Sequence, residues 1–187
     1  MLQISSKDVN LQQYQHSGNV ALQRPVLPNR NRLAIFIDAP NVFYAAKQLG
    51  RQVTKYQQLK AYLAAGFFLT SARFYTGVDS TNLSQKGFLS YLRHIGFEVI
   101  AKELVKRVDG SQKANLDVKI ALDMRNFVDS YDTAVLVSGD GDFVWAVEEL
   151  QNYGKQVWVV GLDSMTSYEL RQVANRFTDL ADILDKI

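Results

Sequence analysis

Two carboxylates separated by one glycine stand between an apolar segment and a helical pattern, in Ser138-Gly139-Asp140-Gly141-Asp142-Phe143. Asp140 and Asp142 therefore lie where a predicted strand ends and a predicted helix begins. Two like charges in a cleft are unfavourable unless a positive charge compensates them, and a divalent cation with oxygen ligands can do so. The alternative is a turn rich in Gly and Asp with one Asp capping the helix, because both residue types are common there.

The composition limits which metal such a site can hold. The chain of 187 residues has no cysteine and only two histidines, His16 and His94. Zinc sites draw mainly on those two residue types, so we do not expect one. Oxygen ligands favour Mg²⁺ or Mn²⁺ as the cofactor. The formal net charge of +2 does not by itself indicate nucleic-acid binding.

Apolar segments alternate with amphipathic ones from residue 33 onward. This alternation predicts an α/β fold, a Rossmann-like three-layer sandwich with a mainly parallel sheet. The predicted strands are 33–37, 67–75, 97–101, 133–137 and 156–160, and the predicted helices are 42–49, 55–65, 83–95, 116–128, 142–153 and 167–174, with a small edge element near 180–183.

Residues 1–31 differ in composition from the rest, with several glutamines and few core residues. We interpret them as an N-terminal extension, either mobile or docked on the surface or on a partner subunit, which leaves a homo-oligomer open. Residues 32–187 form the predicted domain. No apolar run approaches the roughly 20 residues of a membrane span, and no secretory signal is visible, so we expect a cytoplasmic protein without a membrane partner.

The carboxylates are expected to converge at one edge of the sheet. In an open parallel sheet the functional crevice lies beyond the carboxyl ends of the strands, where the strand order reverses. Asp38 ends the first predicted strand, and Asp140 and Asp142 follow the strand 133–137. Asp117 lies in the first turn of a predicted helix. It is interpreted either as a further ligand or as an acid that the helix dipole favours at that position. For Asp123, six residues later, a salt bridge or a cap is at least as good an interpretation as a ligand.

Several further side chains could contact a phosphate at this cleft. Four basic residues precede Asp117, namely Lys102, Lys106, Arg107 and Lys113, with Asp109-Gly110 as a turn. Lys113 is the best candidate, although a solvated charged hairpin explains the same residues. Ser164, Ser167 and Arg171 follow the last predicted strand, where helix capping and a surface charge are the alternatives.

Aromatic residues near these motifs are expected to be mostly core residues. Tyr44 could stack on a base, but its position favours a buried core tyrosine. Phe143 and Trp145 are also predicted to lie in the core.

The ordered motifs Ile35-Phe36-Ile37-Asp38-x-x-Asn41, Asn115-Leu116-Asp117-Val118 and Ser138-Gly139-Asp140-Gly141-Asp142-Phe143 resemble the NYN domain family, most of all its LabA-like group, within the PIN-like nuclease fold. The resemblance covers about residues 32–175. It implies a metal-dependent ribonuclease that hydrolyses phosphodiester bonds of RNA, expected to be single-stranded, at an acidic cluster with Mg²⁺ or Mn²⁺. The positions that match the metal and catalytic cluster are Asp38, Asp117, Asp140 and Asp142, with Asn41 and Ser138 as the adjoining polar residues.

The chain also departs from the family pattern. Ala39-Pro40 replaces a usual glycine after the first Asp, Leu116 stands where small residues are common, and Asn175 stands where an Asp is frequent. These differences leave open a catalytically weak regulatory or scaffold protein that retains the acidic pocket. A haloacid-dehalogenase-type phosphotransferase is disfavoured because Asp38 has no second acid two residues later. A dinucleotide-binding enzyme is disfavoured because no Gly-x-Gly-x-x-Gly follows the first strand.

Overall fold

The computed structural model describes residues 31–79, 81–106, 112–113 and 116–186. Six strands form one sheet in which every pairing is parallel, and two short strands form a separate antiparallel hairpin. The strands are β1 (Arg32–Asp38), β2 (Phe68–Val78), β3 (Glu98–Glu103), β4 (Val105–Lys106), β5 (Gln112–Lys113), β6 (Thr133–Val137), β7 (Gln156–Gly161) and β8 (Arg176–Asp179). The order in the large sheet is β3-β2-β1-β6-β7-β8, which confirms the predicted α/β class.

Helices connect the strands and cover both faces of the sheet. They are α1 (Ala39–Gln48), α2 (Tyr56–Leu63), α3 (Leu83–His94), α4 (Asp117–Asn126), α5 (Val144–Asn152), α6 (Tyr168–Val173) and α7 (Leu180–Leu184), with 3₁₀ turns at Val128–Ser130, Gly141–Phe143 and Asp163–Met165. Among the described helices, none is long and apolar enough to cross a membrane.

The continuous apolar run of β1 reflects burial on both faces of the sheet. Leu33, Ile35 and Ile37 point into a core shared with α1, α2, α3 and α7. Ala34 and Phe36 point into a second core shared with α4, α5 and α6. Because side chains alternate along a strand, only a run that is apolar at every position can supply both cores.

The switch point of the sheet lies between β1 and β6. β1 pairs with β2 on one side and with β6 on the other, so the chain extends the sheet first in one direction and then in the opposite one. α1 leaves the carboxyl end of β1 on one face, while α5 follows β6 on the other. A crevice at the carboxyl ends of these two strands is the consequence.

Two details at the C-terminal end differ from the sequence-based prediction. Residues 180–183 belong to a helix, α7, and the last strand is β8, which precedes it. β8 has no buried residue, so its sequence lacks the apolar run by which strands were recognised. Arg107, the Asp109-Gly110 turn and residues 1–30 of the predicted extension lie outside the described residues.

Candidate metal centre

Three aspartates meet at the crevice. One carboxylate oxygen from each of Asp117, Asp140 and Asp142 lies within 4.8 Å of the other two. We call these residues the acidic triad. Two oxygens on opposite sides of one Mg²⁺ are about 4 Å apart, because each bond is about 2.0–2.1 Å long. The triad therefore has the dimensions of a site for a single hard cation.

The loop after β6 fixes two members of the triad. The Asp140 carboxylate accepts a hydrogen bond from the Asp142 backbone N–H (3.0 Å) and so caps the 3₁₀ turn that follows. The Asp140 backbone N–H donates to the Ser138 hydroxyl (3.2 Å). Gly139 is required by close packing, because a Cβ there would stand 2.8 Å from the carbonyl oxygen of Met165. These contacts hold the loop against its neighbour after β7.

The third member, Asp117, comes from the first turn of α4, after a stretch of chain that the structure describes only in part. α4 buries Ile120 and Met124 against the sheet, which fixes the position of its first turn. Asp117 and Asp140 are half-buried, and Asp142 is exposed. The triad is thus open to solvent on one side and accessible to a substrate.

Asp38 lies next to the triad but is not one of the carboxylates that meet within 4.8 Å. It is 7% exposed, ends β1 and caps α1. Its carboxylate accepts hydrogen bonds from the Ser138 hydroxyl (2.9 Å) and the Asn41 backbone N–H (3.4 Å). Burial raises the pKa of Asp38 to about 6; these two bonds partly oppose the effect, and the charges of Asp117 and Asp140 add to it.

The departure at Ala39-Pro40 fits the local structure. Pro40 stands in the first turn of α1, where a missing backbone N–H costs nothing. The Asn41 side-chain oxygen accepts a hydrogen bond from the Gly139 backbone N–H (3.0 Å). Asn41 therefore joins α1 to the loop that carries Asp140 and Asp142, and Ser138 joins that loop to Asp38.

Asn175, the other departure, is remote from the triad. Its side-chain oxygen accepts from the Val157 backbone N–H (2.7 Å), near the amino end of β7. The triad lies at the opposite edge of the sheet. The absence of an acid at Asn175 therefore removes no ligand from the triad.

The other predicted substrate contacts have different partners. The Ser164 hydroxyl accepts a hydrogen bond from the Gln48 side chain (3.0 Å). Arg171 forms an ion pair with Asp163. Lys113 lies in β5, and its side chain is outside the described part of the structure. Ser167, named only as a possible border of the cleft, caps α6 and donates its backbone N–H to the Gly139 carbonyl (2.9 Å).

Asp123 is in a structural ion pair rather than in the triad. It is 2% exposed, and its carboxylate accepts a hydrogen bond from the Tyr75 hydroxyl (3.0 Å). Lys119 Nζ lies 2.6 Å from Oδ1, and Arg73 Nη1 lies 3.8 Å from Oδ2. The salt-bridge interpretation of Asp123 is the one that the structure supports.

The predicted burial of two aromatic residues was wrong. Tyr44 is 57% exposed and Trp145 is 80% exposed, whereas Phe143 is buried as predicted. Val147 and Leu150 form the buried face of α5. Trp145 precedes Val147 by two positions, about 200° round the helix, so the helical period already places it on the outer face. That signal was available in the sequence.

Comparison with known proteins identifies the family. The model of the NYN domain matches residues 32–182. The chain belongs to the NYN domain family. The low amplitude and bright protein LabA of Synechococcus elongatus is 40% identical over 164 residues, which cover 82% of this chain and 86% of LabA. A crystal structure of a protein of unknown function from Vibrio parahaemolyticus is similar with a TM-score of 0.76 and 34% identity, covering 84% of this chain and 97% of that one.

Proposed function

We propose that this NYN domain is a metal-dependent ribonuclease that hydrolyses RNA phosphodiester bonds at the acidic triad, with Mg²⁺ or Mn²⁺ as cofactor. The single observation that carries the proposal is the meeting of Asp117, Asp140 and Asp142 within 4.8 Å at the switch point of the sheet. Membership of the NYN family supports the nuclease class.

The donor set fits a hard divalent cation. All three side chains are carboxylates, and in the described part of the chain no lysine or arginine is ion-paired to Asp140 or Asp142. When bound there, a divalent ion would activate a water molecule and polarise a phosphoryl oxygen. Histidine chemistry is not needed for either task.

The chain's own residues position this site. The Ser138 hydroxyl donates to Asp38 and accepts from the Asp140 backbone N–H, so it connects the ends of β1 and β6. Asn41 adds a second connection through Gly139. We propose Asp38 as a fourth acid that adds negative potential behind the triad, and Asn41 and Ser138 as residues that border the substrate.

The cationic substrate contacts remain predictions. Lys113 leads toward α4 and is proposed to contact a phosphate. Arg171 would have to leave Asp163 to do so, and Ser164 would have to leave Gln48. The cytoplasmic location and a homo-oligomer also remain predictions.

A cleavage assay tests the proposal. Purified protein is incubated with end-labelled single-stranded RNA and Mn²⁺, Mg²⁺ or a chelator. We expect metal-dependent cleavage, and a loss of at least about a hundredfold in Asp140→Asn, because even the outer partners of metal ligands contribute 10–100-fold. Asp182→Asn is the matched control, since Asp182 is an exposed aspartate on α7.

Two results would contradict the ribonuclease. One is the absence of cleavage with either metal by protein of native circular dichroism. The other is cleavage that persists at the normal rate in Asp140→Asn. The first result would favour the regulatory or scaffold alternative, in which the acidic pocket is retained without turnover.

A further inference from the structure

Three helices that begin at the edge of the sheet where the acidic triad lies each carry an exposed aromatic side chain. These side chains are Tyr44 on α1, Trp145 on α5 and Tyr168 on α6, and Trp145 is the most exposed of the three at 80%. A single exposed apolar side chain is ordinary, whereas several exposed aromatic side chains grouped at one edge of the sheet are characteristic of a binding site. Each of the three helices begins at the carboxyl edge of the sheet, where the triad lies.

Trp145 is the aromatic residue closest in sequence to the triad. It follows Asp142 by three residues across the continuous helical run of the 3₁₀ turn and α5. Residues three apart in a helix lie on the same face, with Cβ atoms about 5–6 Å apart. The indole therefore stands one turn from a triad carboxylate and away from the buried face of α5.

Tyr44 occupies the corresponding place across the crevice. It follows Asn41 by three residues, and the Asn41 side chain contacts the triad loop at Gly139. One turn later, Gln48 contacts Ser164 in the loop after β7. Tyr44 lies between these two contacts along α1, so it faces the loops that border the triad.

Tyr168, the third exposed aromatic residue, is the first residue of α6. It directly follows Ser167, whose backbone N–H donates to the Gly139 carbonyl (2.9 Å). α1 covers one face of the sheet, and α5 and α6 cover the other. The helices that carry the exposed aromatic residues therefore approach the crevice from both faces of the sheet.

This distribution favours a nucleic-acid strand over an apolar protein partner. An apolar protein surface that covered all three rings would also bury the carboxylates of Asp140 and Asp142 and their ion without offering the ion an oxygen ligand, and the burial of charge without a partner is costly. A single strand avoids this cost, because its bases can stack on separate rings while a phosphate lies at the ion. Stacking of this kind tolerates any base.

We propose that Trp145, Tyr44 and Tyr168 form a stacking platform that holds the bases of single-stranded RNA on both sides of the phosphate at the triad. The inference rests on the proposed function, and it specifies which side chains hold the bases and that they do so with little sequence preference. A duplex, whose bases are already stacked on each other, cannot use the platform.

Tryptophan fluorescence tests the platform directly. The chain has two tryptophans, and Trp158 packs edge-on against Phe67 (ring centroids 5.1 Å apart), so Trp158→Phe leaves Trp145 as the sole reporter. We expect a ten-nucleotide single-stranded RNA to quench Trp145 in the presence of Mg²⁺ when the fluorescence is read by stopped flow before cleavage proceeds, and a duplex of the same length to quench it far less. Similar quenching by oligo-U and oligo-A is expected from sequence-tolerant stacking.

Binding of labelled RNA, measured by anisotropy in chains that keep Trp158, gives the affinity. Trp145→Ala should weaken binding about fivefold to a hundredfold, the range for loss of one stacked base, while Trp145→Phe should retain most of the affinity. Tyr91→Ala on α3 is the control, since Tyr91 is exposed but lies in the last turn of its helix, at the end away from the carboxyl edge of the sheet. It should bind like the unmodified chain.

The outcomes separate this inference from the proposed function. Quenching of Trp145 by RNA without any cleavage would support the platform and contradict the ribonuclease. Metal-dependent cleavage with unchanged RNA affinity in Trp145→Ala would support the ribonuclease and overturn the platform. A dimer that dissociates in Trp145→Ala, seen by sedimentation, together with unchanged RNA affinity, would assign the tryptophan to a protein contact and also overturn it.

Discussion

Two buried aspartates in this molecule have opposite surroundings. The carboxylate of Asp123, beneath α4, lies within reach of Lys119, Arg73 and the Tyr75 hydroxyl. The carboxylate of Asp38, at the end of β1, is hydrogen-bonded by the Ser138 hydroxyl and a backbone N–H, and no cation pairs with it in the described part of the chain. Its charged neighbours Asp117 and Asp140 are themselves acids.

The difference separates a charge that is compensated within the protein from one that is not. A buried carboxylate with a cation beside it is compensated within the protein, and removing it leaves the cation uncompensated. A buried carboxylate among other acids costs stability until something positive arrives from outside. The region of Asp123 holds the fold together, whereas the region of Asp38 retains negative charge at the place where a cation and a phosphate are proposed to bind.

The largest expected effect comes from Asp123→Asn. Loss of one partner of a buried ion pair destabilises proteins by about 3–5 kcal/mol, and the half-exposed Lys119 places this pair at the lower end. Urea denaturation at pH 7.5 measures the free energy of unfolding. Asp182→Asn serves as the exposed control, and an unchanged midpoint in Asp123→Asn would show that the ion pair contributes nothing.

The same substitution at Asp38 should act in the opposite direction. The folded-state pKa of Asp38 is raised from 3.8 to about 6, so the folded chain binds the proton more tightly, and stability falls as the pH rises through that window. Asp38→Asn removes this loss. We expect a gain of about 2–3 kcal/mol at pH 8 in the presence of a chelator, since one pKa unit corresponds to about 1.4 kcal/mol.

At pH 4 the gain from Asp38→Asn should disappear, because the carboxyl is then protonated in the folded state. Denaturation of both chains across pH 4–8 measures the difference. A variant that is less stable than the unmodified chain at pH 8 would mean that the ionised Asp38 is compensated from within the protein. The contrast with Asp123 would then fail.

The smallest effect is expected from Ser138→Ala. Its hydroxyl donates to Asp38 and lowers the pKa of that carboxyl, so its loss should raise the pKa further and cost about 1 kcal/mol of stability. Carbon-13 NMR of the Asp38 carboxyl follows the titration. Ser84→Ala on α3, at an exposed serine, should change neither quantity. An unchanged pKa of Asp38 in Ser138→Ala would contradict the stabilisation of the ionised carboxylate by the Ser138 hydroxyl.

The sequence predicted the framework of the site better than its details. The double-sided apolar runs of β1 and β6 predicted a parallel sheet, and from it the approach of Asp38 to the 138–143 loop, 100 residues away. Asp123 was ambiguous because its partners Tyr75 and Arg73 come from β2, and helix periodicity contains no information about that contact. The separation of Asp38 from the triad also depends on tertiary packing, which the sequence pattern does not reveal.

Other differences have local causes. β8 was not predicted, because an edge strand with partly exposed residues has no apolar run in its sequence. The prediction of a buried Trp145 was wrong, because the helical period of α5 places this position on the outer face. An exposed tryptophan beside a candidate site is available to bind a ligand.

The most direct test is a crystal of this chain soaked in Mn²⁺ and measured at a wavelength that gives an anomalous signal from manganese. We expect a single strong peak among the carboxylates of Asp117, Asp140 and Asp142, within about 2.5 Å of an oxygen of each. A peak elsewhere, or no peak while all three carboxylates are well ordered and accessible, would contradict the claim that this edge of the sheet is a metal centre.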